Sequence, residues 1–190
     1  MNAARLFYRT RQLWMAVGAA LTAEDLSLVR AVLAPSQITL FEGMNRSEQA
    51  HSLRVLRALL EQGETHPDLQ VAALLHDVGK SRFPLSLWER ILVVLGKMYF
   101  PRSVHRLGAV AGEAIRHSAD LSQARGWRRA FAVAENHPAW GADMVARAGA
   151  SSLAVALIRQ HQDPGVCSEI DSPAMEEHLL CLLQSVDDES

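Results

Sequence analysis

Apolar residues recur every three or four positions over most of the chain, which is the period of an α-helix and not of a strand. Residues 47 to 62 show this period at positions 53, 55, 56, 59 and 60, and residues 86 to 100 form a strongly apolar segment before Pro101. The chain has no run of alternating polar and apolar residues, no Asn-Gly turn and no internal repeat. We therefore predict an all-α fold, a compact helical bundle.

Capping residues, glycines and prolines divide this pattern into separate helices. Thr22, followed three residues later by Asp25, is a capping signature. Pro138 is favourable in the first turn of a helix, which predicts that His137 stands at a helix N-terminus. The predicted helices cover about 3–20, 22–33, 36–43, 47–62, 68–77, 86–100, 103–119, a segment around 127–131, and then 138–149, 152–161 and 173–190.

Length and composition are those of an ordinary globular protein. The chain has 190 residues, which is long enough to bury a sizeable core. Since 49% of the residues are hydrophobic and 21% charged, the composition does not indicate disorder. We predict one main domain over residues 46–190, with helices in residues 1–45 that pack on it or flank it.

Charge is distributed unevenly although the formal net charge is only -2. Residues 80–130 hold ten Lys or Arg against three acids, whereas the chain from Asp163 onward holds eight acids and no Lys or Arg. Two solvated faces of opposite sign would explain this. Alternatively, the basic segment 81–132 leans over a site for an anionic, phosphate-bearing substrate and decides its specificity. The segment is too irregular for a nucleic-acid groove, and no aromatic ladder accompanies it.

The cysteines and the apolar runs of the sequence indicate in which cellular compartment the protein is expected. Cys167 and Cys181 have no second pair, so no disulfide framework or zinc ribbon is indicated, and a reducing compartment is the simplest setting. The apolar run 13–21 follows three arginines like a weak secretion signal, but it is short and lacks a clean cleavage site, which favours a buried N-terminal helix. No stretch reaches the ~18 apolar residues of a transmembrane span. We predict a cytoplasmic protein.

A histidine and an aspartate end the apolar run at residues 72–75. If residues 68–77 are helical, His76 and Asp77 continue the face that should be buried. A buried carboxylate without a partner costs several kcal/mol, so it needs either a hydrogen-bonded network or a metal ion. Taken alone, such a pair is weak evidence for a metal.

Further candidate ligands lie elsewhere in the chain. Each can be read singly as an ordinary core or capping residue, but most of them continue the apolar faces of separate helices, and helical bundles gather ligands in this way. Asp187 shares the side of Leu183, whereas Asp188 does not, so we choose Asp187. The additional candidates are His51, His137, His161 and Asp187.

These residues resemble the motifs of the HD superfamily of metal-dependent phosphohydrolases. The resemblance covers about residues 46–188. It comprises a histidine within a helix (His51), the run His76-Asp77-Val78-Gly79-Lys80 and a C-terminal aspartate (Asp187). Two further elements, 137–142 and 158–161, are similar to the extra metal-binding motifs of the branch with the HD-GYP phosphodiesterases and diadenosine tetraphosphate hydrolases.

The resemblance implies a set of residue roles. His51, His76, Asp77 and Asp187 would hold one divalent metal ion, and His137 and His161 a second, with Asp77 bridging. Lys80 would face the substrate phosphate, so that Asp77 and Lys80 are the expected catalytic residues. Imidazole and carboxylate ligands suit Fe, Mn, Zn or Co. A metal pair lowers the pKa of water toward neutrality and neutralises phosphate oxygens, which suits hydrolysis of a phosphoester or phosphoanhydride.

Differences from the family motifs narrow the range of possible substrates. Gln162 stands where the HD-GYP branch has a second histidine, and Asp163-Pro164-Gly165-Val166 replaces its Gly-Tyr-Pro signature, which argues against cyclic di-GMP. The acidic residues typical of guanosine tetraphosphate hydrolases and HD deoxynucleotidases are also missing. We expect a small phosphorylated substrate, a nucleotide above all. The alternative is a non-catalytic HD-like module that binds a nucleotide or a protein partner. The sequence leaves the oligomeric state open.

Overall fold

The computed structural model describes residues 21–100, 104, 108, 127–163 and 174–189. The predicted helix at 3–20 and most of that at 103–119 lie outside these residues. The described residues form eight α-helices and one short 3-10 helix, with no strand, which confirms the predicted all-α fold. The helices are α1 (Ala23–Val32), α2 (Pro35–Glu42), α3 (Arg46–Glu61), α4 (Pro67–Leu75), the 3-10 helix (Val78–Arg82), α5 (Leu87–Tyr99), α6 (Arg128–Arg147), α7 (Ser152–Gln160) and α8 (Met175–Glu189).

Local chemistry sets the ends of these helices. The Thr22 side chain accepts a hydrogen bond from the Asp25 backbone N–H, and Asp25 accepts one from the Thr22 N–H at 2.7 Å, which is the predicted capping box. At the end of α3, Gly63 adopts a φ of 85°, so that the Glu64 N–H bonds to the Leu59 carbonyl at 3.0 Å. Gly149 ends α6 in the same left-handed conformation.

Helix α4 forms the centre of the fold. It contacts α3, α7 and α8 as well as α1 and α2. After Asp68 and Gln70 its side chains are all apolar, as expected for a helix surrounded by others, and those at positions 69 and 72–75 are fully buried. The residues that follow α4, beginning with His76, therefore lie in the interior of the bundle.

The described N-terminal helices pack against the same core. Val29, Leu33 and Phe41 are buried in the apolar cluster that also contains α3 and α4. Arg57 on α3 forms an ion pair with Asp25 on α1. The division into residues 1–45 and 46–190 stays a prediction.

Two predicted boundaries are wrong. Helix α4 ends at Leu75, so His76 is its C-cap and Asp77 lies outside it with φ -94° and ψ 0°. Pro138 does not begin a helix, because α6 runs through it from Arg128 to Arg147. Proline is favoured at helix starts but is tolerated inside a helix when the freed carbonyl finds another donor. His137 supplies that donor.

Two glycines allow the 3-10 helix to lie directly against α6. A Cβ atom added to Gly79 would be 2.0 Å from the His137 carbonyl oxygen and 2.7 Å from the Gly141 nitrogen. Real Cβ atoms do not approach other atoms so closely, so this contact requires glycine at position 79. It brings the Asp77 segment against the helix that carries His137.

Cys181 on α8 is disulfide-bonded, and Cys167, the other cysteine of the chain, lies outside the described residues. The cysteine spacing gave no indication of a disulfide, so the sequence argument missed this bond. Within the described part of the chain, no helix is both long and apolar enough to cross a membrane.

Candidate metal centre

Six predicted ligands come from five helices or their ends and meet in one place. Four imidazole rings stand edge to face in a row, with neighbouring ring centroids 5.2 to 5.3 Å apart. Within each of two groups, the candidate ligand atoms lie within 4.8 Å of one another. The first group is His51, His76 and Asp77, and the second is Asp77, His137 and His161.

Asp77 belongs to both groups. Its Oδ2 lies 3.6 Å from His76 Nε2, and its Oδ1 lies 3.3 Å from His137 Nε2 and 3.9 Å from His161 Nε2. One carboxylate therefore faces both histidine pairs, the arrangement expected of a ligand shared by two ions.

Asp187 approaches the first group from α8. Its Oδ1 is 2.7 Å from His51 Nε2 and 3.4 Å from His76 Nε2. The structure thus places the aspartate chosen by helical periodicity next to both histidines of the first group.

Three of the histidines are oriented by a carbonyl of their own helix. His76 Nδ1–H donates to Ala73 O at 3.0 Å, His161 Nδ1–H to Ile158 O at 2.8 Å. Both acceptors lie in the last turn of a helix, where carbonyls lack a helical partner. Because a carbonyl can only accept, the proton is fixed on Nδ1 and the lone pair of the neutral ring is on Nε2.

His137 achieves the same orientation in the middle of a helix. Pro138 has no N–H, so the carbonyl of Ala134 loses its usual helical donor. His137 Nδ1–H donates to that carbonyl at 3.0 Å and lies 3.2 Å from the Val133 oxygen. The proline therefore supplies the acceptor that turns His137 Nε2 toward Asp77.

The donor set fits divalent metal ions. His76 Nε2 and His161 Nε2 are buried and have no hydrogen-bond partner among the described residues. A buried polar atom without a partner costs free energy, and a metal ion would satisfy several at once. In metal-binding histidines, the ring nitrogen that does not bind the metal also typically donates a hydrogen bond to an acceptor such as a backbone carbonyl.

Electrostatics balance the metal-free cluster. Burial would lower the pKa of His76, but the charges of Asp77 and Asp187 outweigh it and raise this pKa to about 9. Burial lowers the pKa of His161 to about 3, assisted by His76 and His137. Burial would raise the pKa of Asp77, but Lys80 and His76 hold it well below its usual range. Lys80 and His76 thus favour the ionised form of Asp77, and burial favours the neutral form of His161.

Lys80 lies at the edge of the cluster. Its Nζ donates to Asp77 Oδ2 at 2.5 Å, and 31% of the side chain is exposed. Lys80 also lines a pocket of about 200 Å³ that opens beside His137. The lysine is therefore placed between the Asp77 carboxylate and the space available to a small molecule.

The sequence analysis missed two residues of this pocket, Glu48 and Arg90. They form an ion pair, with Arg90 Nη2 2.9 Å from Glu48 Oε1. Arg90 could have been suspected because it belongs to the basic segment 81–132. Glu48 lies three residues before His51, on the helix that carries it, but nothing in the local sequence marks it. The described Arg82, Arg128 and Arg129 of the same segment contact aromatic rings or Glu89 instead.

Comparison with known proteins adds one finding. Neither the curated proteins nor the solved structures give a match to this chain. The HD domain family matches residues 49–184. This range contains five of the six clustered histidines and aspartates, and Asp187 lies just after it. This match spans well over half of the chain, and the chain belongs to the HD domain family.

Proposed function

We propose that this protein is a metal-dependent phosphohydrolase that acts on a phosphoester or phosphoanhydride of a nucleotide or another small phosphorylated compound. The observation that carries the proposal is the position of Asp77, whose carboxylate lies against two pairs of buried histidines. Degenerate HD-like modules would be expected to lose one of the central residues, whereas His76, Asp77 and Asp187 are all present and in contact.

The residues have distinct proposed roles. His51, His76, Asp77 and Asp187 would hold one divalent ion, and Asp77, His137 and His161 a second. Bound there, the ions would act as Lewis acids, lowering the pKa of water and neutralising phosphate charge. Lys80 would add a positive charge to the same phosphate. Fe, Mn, Zn and Co all suit this ligand set.

The pocket beside the cluster supports a small substrate. Its lining combines polar residues, among them Lys80 and His137, with the apolar side chains of Leu85, Val93 and Val133. Gln162 also lines it, at the position where the HD-GYP branch has a second histidine. This difference supports a substrate other than cyclic di-GMP.

The first test is the metal content of protein purified without added metal, measured by elemental mass spectrometry. Wild type should contain about one to two Fe, Mn or Zn ions per chain, and Asp77→Ala should contain none. Asp143→Ala is the matched control, because Asp143 pairs with Arg159 on the exposed surface and should not affect the metal.

Phosphate release from a panel of nucleotides, sugar phosphates and dinucleoside polyphosphates then tests the reaction. Activity in wild type and its loss in Asp77→Ala would support the hydrolase. A metal-free wild type that also fails to take up Mn or Fe(II) would contradict it. The alternative, a non-catalytic module that binds a nucleotide or a protein, would then replace it.

The cytoplasmic location stays a prediction. A nucleotide substrate favours the cytoplasm, whereas a disulfide such as that of Cys181 is more typical of oxidising compartments.

A further inference from the structure

Glu48 is a buried carboxylate with one unused oxygen. The residue lies in the first turn of α3 and is 6% exposed. Its Oε1 accepts a hydrogen bond from Arg90 Nη2 at 2.9 Å. Its Oε2 is buried and has no hydrogen-bond partner in the part of the chain that the structure describes. An ionised oxygen in this state is costly, which calls for a donor beyond the described residues.

Arg90 holds this carboxylate in place. Its guanidinium bonds to Glu48, to the Ser47 hydroxyl at 3.3 Å and to the Leu85 carbonyl at 3.2 Å. Three partners fix the orientation of the planar group. Because Oε1 is held by this fixed cation, the Glu48 carboxylate cannot readily rotate to give Oε2 a hydrogen bond from Arg90 as well.

Glu48 lines the same pocket as Lys80 and His137. A molecule with its phosphate beside Lys80 would therefore also lie in the pocket that Glu48 lines. The lining further includes Leu85, Val93, Val94 and Val133, which offer an apolar surface. The pocket thus combines a cation for phosphate, an acceptor for a hydrogen-bond donor and an apolar wall.

The volume of the pocket is about 200 Å³, which suits a sugar phosphate or the sugar-phosphate part of a mononucleotide.

We propose that Glu48 is a specificity-determining residue that accepts a hydrogen bond from a hydroxyl group of the substrate, so that the pocket selects hydroxylated sugar phosphates, free or within a nucleotide. The proposal rests on the phosphohydrolase function proposed above. Hydrogen bonds to an ionised acceptor are among the stronger ones. A site with a buried acceptor strongly rejects an analogue that lacks the matching donor.

The test compares substrates that differ in hydroxyl groups. Ribonucleoside 5′-monophosphates of all four bases are compared with their 2′,3′-dideoxy counterparts, and ribose 5-phosphate is included to separate a free sugar phosphate from a nucleotide. The readouts are kcat/KM for phosphate release and the Tm shift caused by each compound. Wild type should prefer the hydroxylated compounds at least tenfold in kcat/KM, and these should give the larger Tm shift.

The near-isosteric variant Glu48→Gln should reduce this preference at least fivefold while keeping the wild-type metal content. Glu61→Gln, the same substitution at the exposed end of α3, is the matched control and should behave as wild type. The wild-type comparison needs no variant, so the proposal is tested even if Glu48→Gln folds poorly.

Four outcomes would overturn the proposal. Equal hydrolysis of both series by wild type would remove Glu48 from substrate recognition, and so would a Glu48→Gln variant that keeps the full preference. Loss of metal from Glu48→Gln would instead assign the residue to the metal centre. A wild type that hydrolyses and binds none of the panel would contradict the proposed function itself, and this inference would fall with it.

Discussion

Gly79 lies against the carbonyl oxygen of His137 so closely that a Cβ atom at position 79 would be 2.0 Å from it. The contact joins the 3-10 helix to α6, and these two elements carry Asp77 and His137, whose Oδ1 and Nε2 are 3.3 Å apart. A glycine is thus part of the metal-centre geometry although it offers no ligand atom.

Gly79→Ala should therefore damage both stability and metal binding. The clash involves backbone atoms, which cannot move aside cheaply, so we expect a loss of at least ~1–3 kcal/mol in the free energy of unfolding and a reduced metal content. Chemical denaturation and elemental mass spectrometry check this. Gly43→Ala is the control, because a Cβ there would be 3.4 Å from its nearest neighbour. A Gly79→Ala protein with normal stability and metal would show that the contact is not required.

Pro138→Ala should weaken metal binding without removing a ligand. Alanine restores an N–H that can bond to the Ala134 carbonyl and compete with His137 Nδ1–H for it. Loss of such an orienting hydrogen bond typically costs ~10–100-fold in metal affinity. Titration of Mn or Zn in competition with a chelator measures the change. An unchanged affinity, with far-UV circular dichroism showing an intact fold, would mean that the proline does not orient His137.

Lys80→Ala should separate substrate binding from metal binding. In the metal-free protein Lys80 balances the charge of Asp77, so its removal should not lower the metal content. The loss of a positive charge beside the substrate phosphate should raise KM or lower kcat at least tenfold. Arg30→Ala, at an exposed position on α1, serves as the control. If Lys80→Ala emptied the metal centre, the role proposed for this lysine would be wrong.

Arg129→Ala should loosen α5. Arg129 on α6 pairs with the buried Glu89 at 2.6 Å and bonds to the Pro84 carbonyl at 2.9 Å, so it ties the start of α5 to the core. Its removal leaves a buried carboxylate without its cation, which we expect to cost ~1–3 kcal/mol of unfolding free energy. Since α5 carries Arg90 and two valines of the pocket, KM should rise while metal content stays normal.

Arg159→Ala tests whether the Arg129 effect depends on burial. The Arg159–Asp143 pair is about half exposed on both sides, so its loss should cost well under ~1 kcal/mol. Equal destabilisation by the two variants in urea unfolding would contradict the proposed anchoring of α5.

Asp25→Asn should destabilise the protein near neutral pH but not in acid. Burial would raise the pKa of Asp25, but the hydrogen bonds from Thr22 and the charge of Arg57 lower it below its ordinary value. A lowered pKa in the folded state means that the ionised carboxylate stabilises the fold above the unfolded pKa of ~3.9 and that this contribution disappears as the pH falls below it.

Urea unfolding of wild type and Asp25→Asn at pH 7 and at progressively lower pH checks this. The difference should be ~1 kcal/mol at pH 7, typical of a lost helix cap, and should shrink below about pH 4. A difference that does not change with pH would show that the carboxylate charge contributes nothing.

Most helices were predictable because their signals are local. The apolar period, the Thr22 capping box and the serine before α7 depend on a few neighbouring residues, and the structure shows α1 to α5, α7 and α8 close to their predicted positions. The clustering of His51, His76 and His161 with Asp187 could also be expected, because these residues continue the apolar faces of their helices, whereas His137 was expected at a helix start.

The failures involve information that is not local. Pro138 favours a helix start in sequence terms, and nothing in the sequence shows that the His137 side chain takes over the Ala134 carbonyl and so lets α6 continue through the proline. Glu48 looks like any glutamate in the first turn of a helix, and only the position of Arg90, 42 residues away, gives it an unused buried oxygen. The disulfide of Cys181 likewise depends on a residue brought near by the fold.

The bonds from His76, His137 and His161 to carbonyls three residues earlier in their own helices have a consequence for assembly of the centre. Each ring is oriented by a contact within its own turn of helix, so this orientation needs no distant residue. Packing of the helices then has only to bring together histidine rings that are already oriented. The entropy of aligning these three side chains is lost during folding and not during metal uptake, so exchange of one ion for another need not reorganise the protein.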